Sequence, residues 1–395
     1  MNYLRFFCIF FLATLISCTH TVTVKNKHKG KLTATYQMVI SHEKKILLDD
    51  NSAPRPPYMQ MIEEDSGRQV LTFLNPYKNG IFFYDFEMGI LLKTVEYERE
   101  GPNAIRRLEC YFVKNMDSIY VFHGPLPELV LTDSSGYVKK RFSLIDNKDR
   151  SDNTWPLYYP QYEFYTVNPI IETRGKLILT GSAPFGIADD SLIHKFRFTA
   201  NFDLQSNIVE FMHSYPAELY GSNPNWPGMA YTLPYSELSP TGGLIYSFPV
   251  SHDIYISQWD KEGYEKVYAG SNNAGTIRSI AGQRLNSELI ISHCLKHDLY
   301  TCIRYDPYRN VYYRFMSQGM HDFTIKTSVR EKPVVVIVMD ESFSYLCETV
   351  LGSAEKWNWL NSFVTSEGLM IEYFDPDLDS EEEYLTFKIL TLIKL

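Results

Sequence analysis

Three adjacent pairs, His252-Asp253, His297-Asp298 and His321-Asp322, put imidazole beside carboxylate. A metal-dependent phosphohydrolase uses such a pair from a helix, where both side chains ligate one cation. Here each pair falls at a strand start or in a hairpin turn, and solvated turn residues account for them better. The run Asp375, Asp377, Asp379, Glu381, Glu382 and Glu383 alternates acids as a calcium loop does. It lacks the glycine of the sharp bend, and Thr386 stands where the bidentate Glu belongs, so a charged turn is the better reading. No CxxC or Cys/His spacing suggests zinc, and no Gly-x-Ser-x-Gly elbow or phosphate loop occurs. The sequence therefore names no catalytic residue, no metal and no cofactor.

Two long stretches between strands mix aromatic faces with amides. One carries Trp155, Tyr158 and Tyr159; the other carries Tyr220, Asn223, Asn225, Trp226 and Tyr231. Long loops on a rigid scaffold often carry function. These rings are the candidate ligand-binding residues, suited to a glycan or a peptide. The competing reading has them pack over the scaffold and cap its channel.

The scaffold is legible in a repeated hairpin. Six times an apolar strand runs into an Asp-led turn and out into a second strand, at Asp85, Asp133, Asp203, Asp260, Asp306 and Asp340. An Asp carboxylate suits that position because it accepts hydrogen bonds from backbone amides two residues on. Further apolar runs, such as residues 70–74, 118–122, 176–179, 244–248 and 288–291, are short and bounded by turn residues, as strands are. Residues 354–360 are the best helix candidate. Divergent repeats of about 45 residues predict an all-β propeller. Three strands at residues 362–365, 369–374 and 384–392 lack the Asp hairpin. Pairing them with an N-terminal strand at residues 32–40 closes the ring and removes exposed edges. Seven blades are the preferred count and six the alternative.

The first residues give an address. Arg5 precedes the apolar stretch 6–16, and Ser17-Cys18 follows, the layout of an export signal cut before a lipid-modified cysteine. Residues 1–17 then form the signal peptide, Cys18 takes the lipid, residues 18–31 form a tether, and residues 32–395 form the propeller. The tether, with Lys25, Lys27, Lys29 and Lys31 and no acid, reads as flexible. The apolar stretch is too short to span ~30 Å of hydrocarbon. A net charge of −9 argues against nucleic-acid binding, and the 29 Tyr and 24 Phe favour strands. Cys294 and Cys302 sit symmetrically about Lys296-His297-Asp298, as residues facing across a hairpin; a free pair is favoured over a disulfide.

Asn75-Pro76-Tyr77-Lys78-Asn79-Gly80 leading into Ile81-Phe82-Phe83-Tyr84-Asp85 resembles the opening blade of an uncharacterised Bacteroides-group lipoprotein family, domain of unknown function 4221. Glu98-Arg99-Glu100-Gly101-Pro102-Asn103, Asp340-Glu341-Ser342-Phe343 and Thr365-Ser366-Glu367-Gly368-Leu369 fit the same family. The resemblance implies an exported lipoprotein with a β-propeller, and it supplies no catalytic residues. The absence of acids just after Cys18 tilts the expected address to the periplasm-facing outer membrane of a Gram-negative cell. The preferred function is a membrane-anchored, non-enzymatic binding module for a protein, peptide or glycan. The alternative is a polysaccharide-active hydrolase or lyase with its site at the propeller channel.

Overall fold

Short apolar strands joined by tight turns pair with their sequence neighbours, and six four-stranded antiparallel sheets result. The computed structural model describes residues 21–52, 54–64, 66–124, 127–146, 155–183, 195–220, 226, 228–280, 286–377 and 383–395. Strands β1 (Thr23–Val24) and β2 (Tyr36–Leu47) come first. Blade one holds β3 (Met59–Glu63), β4 (Gln69–Asn75), β5 (Gly80–Asp85) and β6 (Leu91–Glu96). Blade two holds β7 (Leu108–Asn115), β8 (Ser118–His123), β9 (Glu128–Thr132) and β10 (Val138–Ser143). Blade three holds β11 (Ile171–Thr173), β12 (Lys176–Thr180), β13 (Thr199–Asp203) and β14 (Val209–Met212). Two short helices follow, α1 (Ala217–Tyr220) and α2 (Met229–Thr232).

Blade four holds β15 (Tyr235–Leu238), β16 (Gly243–Ser247), β17 (Asp253–Gln258) and β18 (Glu265–Tyr268). Its connection to blade five contains β19 (Ile277–Arg278) and helix α3 (Ser287–Lys296). Blade five holds β20 (Leu299–Asp306), β21 (Val311–Ser317), β22 (Pro333–Asp340) and β23 (Tyr345–Ser353). Blade six holds β24 (Trp357–Thr365), β25 (Gly368–Tyr373) and β26 (Tyr384–Lys394), with β2 as its outermost strand. The β2–β26 register runs from Tyr36 opposite Lys394 to Leu47 opposite Tyr384, so the two ends of the chain close the ring.

The propeller and its closure are as the sequence implies, but the ring has six blades rather than the preferred seven. The Asp306 and Asp340 hairpins, which lie close in sequence, are β20–β21 and β22–β23 of a single blade. Counting each as a blade adds one. At Asp85, Asp203 and Asp340 the turn chemistry is as expected: Asp85 accepts from Met88 N at 2.8 Å, Asp203 from Ser206 N at 2.7 Å and Asp340 from Ser344 N at 2.8 Å. Two local assignments change. Residues 288–291 begin α3, which Asn286 caps by accepting from Leu289 N at 2.8 Å. Residues 357–360 belong to β24, not to a helix. Consequently Cys294 is helical and Cys302 lies in a strand, and the two do not face across a hairpin. Cys110, Cys294, Cys302 and Cys347 are all free thiols.

The core lies between neighbouring blades. Phe83, Val95, Leu108, Val121 and Leu177 pack in one cluster across blades one to three. One buried ion fastens blades four and five. The guanidinium of Arg314 on β21, fully buried, donates to Ser247 Oγ and to the carbonyls of Ser251, His252, Asp253 and Ala269. It also stands 4.0 Å from the centre of the Tyr300 ring. Every direction of its planar fork finds an acceptor, which is what permits an Arg in the interior.

Candidate functional site

The innermost strands β3, β7, β11, β15, β20 and β24 are the first strands of their blades in chain order. Where they begin, a cavity of about 1030 Å³ opens on the ring axis. Its wall takes residues from every blade: Arg55 to Pro57 before β3, Arg107 to Glu109 at β7, residues 162–165 before β11, Tyr235 at β15, Leu299 to Thr301 at β20, and Asn358 to Asn361 on β24.

Breaks in strand register aim side chains into this space. On β7 the pairing steps from Leu108–His123 to Cys110–Phe122, so Glu109 is an extra residue. On β20 it steps from Tyr300–Met316 to Ile303–Arg314, which leaves one residue too many about Thr301. On β24 it steps from Asn358–Glu372 to Ser362–Ile371, and Trp359, Leu360 and Asn361 bulge out together. A bulge re-aims side chains out of the ladder, which is why bulges gather at functional sites. Gly124 makes room for the first: a Cβ there would lie 2.3 Å from Glu109 Oε1.

The carboxylates of Glu109 and Glu163 line the mouth, and that of Glu372 stands behind it. Glu109 lies 3.4 Å from Arg107 Nε. Burial pushes the Glu163 carboxyl up, and the charge of Glu109 adds to the effect, while a hydrogen bond from Tyr165 Oη at 3.4 Å opposes it. Glu372 stands behind the β24 bulge. Its Oε2 accepts from Asn358 Nδ2 at 2.5 Å and Asn361 Nδ2 at 2.7 Å. Burial raises Glu372 from 4.5 to about 7 against those donors and the charge of Arg55. Asn361 also donates to Pro56 O at 2.6 Å and accepts from Thr166 Oγ1 at 2.7 Å, so its orientation is fixed.

Among the described residues, cations outnumber acids on the wall: Arg55, Arg99, Arg107, Arg330 and Lys332 against Glu109 and Glu163. Lys332 is occupied, its buried ammonium donating to the carbonyls of Cys294 and His297 at the end of α3. Arg55 lies 4.6 Å from the Phe374 ring centre and donates to Glu355 O. Its Nε, the Tyr162 hydroxyl and Thr301 Oγ1 are buried without a hydrogen-bond partner. Such orphaned groups on a cavity wall are ready to bond a ligand. Aromatic surface completes the wall. Tyr162 and Phe164 stack at 5.7 Å, and Tyr235 meets Trp359 edge-on at 5.9 Å.

The candidate rings named from the sequence lie elsewhere. Trp155 and Tyr159 are half-buried 6.4 Å apart, Tyr159 meets Phe211 of the outer strand β14 at 5.3 Å, and Tyr158 is 60% exposed. Tyr220, Trp226 and Tyr231 are core. Trp226 Nε1 donates to Leu219 O at 2.8 Å, Tyr220 Oη to Tyr231 O at 2.7 Å, and Trp226 stacks on Tyr231 at 5.7 Å. None of the six is on the cavity wall. Asn223, Asn225 and Cys18 lie outside the described residues. The His-Asp pairs serve the scaffold or face solvent. His252 Nδ1 bonds Tyr300 Oη at 2.8 Å, and burial takes His252 down to about 4. Asp298 accepts from Gly275 N and Gly319 N, and His321 and Asp322 are exposed. Asp375 pairs with Lys356 at 2.8 Å; residues 378–382 lie outside the described residues. Among the described residues no group of three or more His, Cys, Asp or Glu side chains is arranged to hold a metal.

Solved structures share this architecture. A protein from Bacteroides vulgatus, described as a member of the DUF4221 family, superposes with a TM-score of 0.77 at 20% identity, covering 91% of this chain and 99% of that one. A putative exported protein from Bacteroides fragilis gives a TM-score of 0.54 at 10% identity, over 91% and 95% of the two chains. Virginiamycin B lyase from Staphylococcus aureus gives 0.42 at 12% identity, over 90% and 100%. No curated protein matches the sequence.

The expectation of a non-enzymatic chain is corrected on this point. That expectation rested on the lack of a sequence motif, and carboxylates gathered at one mouth by folding need none. The physical reason is visible in the cavity: Glu109 and Glu163 come to one mouth from different blades and have no signature spacing in the chain. The family model described as "Domain of unknown function (DUF4221)" matches residues 35–350, and this six-bladed propeller belongs to that family.

Proposed function

We propose that the chain acts on an anionic polysaccharide at the mouth of the central channel, as a hydrolase or lyase of the cell envelope. The observation that carries the reading is a carboxyl held up by burial and by a neighbouring carboxylate, Glu163 beside Glu109, in a cavity with an excess of arginine. Glu163, whose carboxyl is made harder to ionise by burial, is suited to donate to the glycosidic oxygen as that bond breaks. Glu109, paired with Arg107, is suited to take a proton from water or from the sugar carbon next to an acidic group. Arg107 and Arg330 supply positive charge for the acidic groups of the substrate, and Tyr162, Tyr235 and Trp359 supply flat apolar faces for sugar rings. Asn361, fixed by Glu372 and Thr166, positions the β24 bulge.

The envelope address is part of the same proposal. It is supported by the Ser17-Cys18 signal and by the likeness to the Bacteroides fragilis protein described as a putative exported protein. Lipid on Cys18 and a periplasm-facing outer-membrane position belong to it too. Incubation with a panel of uronate-bearing, sulfated and neutral polysaccharides tests the activity. New reducing ends, with or without the ultraviolet absorbance of an elimination product, are expected from an acidic member of the panel only. Cleavage of neutral polymers alone, or of none, overturns the reading.

A further inference from the structure

The N-terminal segment is fastened to the ring from Val22 onward. Val22 N donates to Ser279 Oγ and Ser279 N donates to Val22 O, both at 2.9 Å. Strand β1 pairs with β19, Thr23 opposite Arg278 and Val24 opposite Ile277. Asn26 Nδ2 donates to the carbonyls of Ser271 at 2.8 Å and Ala274 at 3.1 Å, and its Oδ1 accepts from Tyr268 Oη at 2.9 Å. Gly30 N and Leu32 N both bond Asn272. Val22, Val24 and Asn26 are half-buried against the ring, while Thr23, Lys25 and Lys27 are exposed. The segment expected to be a free tether is thus a strap along the connection between blades four and five.

Only Thr19, His20 and Thr21 separate Cys18 from the strap. Fully extended, the four residue steps from Cys18 to Val22 span about 14 Å. A lipid on Cys18 therefore selects which surface of the ring meets the bilayer. Around that point the surface carries apolar side chains in solvent: Met229 on α2 at 37% exposure, Ile291 on α3 at 44%, and Ile325 and Val329 between β21 and β22 at 78% and 44%. These elements form one surface. Tyr231 of α2 bonds His293 of α3 at 2.7 Å, Lys332 bonds the end of α3, and His293 Nε2 reaches the Arg278 carbonyl beside the strap at 2.9 Å. The exposed cations here are Lys25, Arg278, Lys296, Lys326 and Arg330; the exposed acids are Glu288, Asp322 and Glu331.

We infer that the ring lies on the bilayer with this end down, α2, α3 and the β21–β22 connection seated among the lipid headgroups beside the anchor. Apolar side chains among basic ones are what an interfacial surface needs, and the short link to the lipid holds it in register. This rests on the anchoring part of the proposed function and is independent of the catalytic part. Ala230, Cys294, Val329 and Arg330 belong both to this surface and to the cavity wall, so the channel mouth opens toward the bilayer. A substrate then enters along the membrane plane.

The test uses the full-length, processed protein reconstituted in phosphatidylethanolamine–phosphatidylglycerol vesicles that contain brominated lipid. In a Cys294→Ser background, one fluorophore is placed at Ile291→Cys and, in a second variant, at Ile208→Cys in the β13–β14 turn, where Ile208 is also exposed. The mass of the intact chain reports lipidation, and its absence overturns the inference at its premise without touching catalysis. With lipid present, the label at 291 is expected to lose most of its emission and the label at 208 to keep it. Equal quenching at both positions, or stronger quenching at 208, overturns the orientation.

Discussion

Replacing Glu372 with Gln makes the pH dependence of stability a direct readout of the buried carboxyl behind the cavity. The side chain is 1% exposed and titrates at about 7 instead of 4.5, mainly because burial penalises its charge. Between those two pH values the folded chain holds a proton that the unfolded chain has released. Stability contributed by this group is therefore fully present below about pH 4.5 and is lost as pH rises to about 7. The gap between the two values corresponds to ~3 kcal/mol, taking 1.36 kcal/mol per tenfold change in proton affinity. Gln cannot ionise, and its carbonyl can still accept from Asn358 and Asn361. Any cost of its NH₂ group is constant with pH. Urea unfolding of both proteins from about pH 4.5 to about pH 8 gives the comparison. His252 and His293, each brought down to about 4 by burial, titrate alike in the two proteins and cancel in the difference. The stability of Glu372→Gln relative to the native chain is expected to rise by ~3 kcal/mol across the window. A difference that stays flat with pH refutes the buried-proton assignment.

Gly124→Ala drives a Cβ onto Glu109 Oε1 and is expected to abolish turnover by displacing that carboxylate, while the melting transition by circular dichroism stays close to native; an active variant contradicts the role of Glu109. Arg314→Leu strands five buried acceptors and is expected to cost at least ~3 kcal/mol in urea unfolding, or to prevent folding; a cost below ~1 kcal/mol contradicts its place as the tie between blades four and five. Trp226→Ala opens a core void worth ~3–5 kcal/mol, whereas Tyr158→Ala stays within ~0.5 kcal/mol; the same denaturation assay separates the two, and equal effects contradict their burial.

Features encoded over a few residues were legible in the chain. Asp85, Asp133, Asp203, Asp306 and Asp340 announce their turns because the carboxylate bonds amides a few residues away. The blade count depends on which hairpins share a sheet, and nothing local to Asp306 or Asp340 says that theirs do. The run at residues 288–291 is equally apolar as strand or helix, and the cap Asn286 with Lys296 at the far end was the signal that favoured helix. The site was hidden for a different reason. Glu109, Glu163 and Glu372 come from three blades, and a bulge leaves no mark in composition. One clue was present: Glu372 interrupts the apolar strand Leu369-Met370-Ile371, and an acid on a buried strand needs partners. The aromatic stretches drew attention through their composition, but three of their rings are spent on the core.

Catalysis at this mouth depends most directly on Glu163. Using the acidic polysaccharide that the native protein cleaves, binding and product formation are measured side by side for the native chain and for Glu163→Gln. The predicted result is a variant that binds within about fivefold of native, since less than ~1 kcal/mol of binding is removed, and forms no product. A variant that cleaves at the native rate contradicts the assignment of this mouth as the catalytic site.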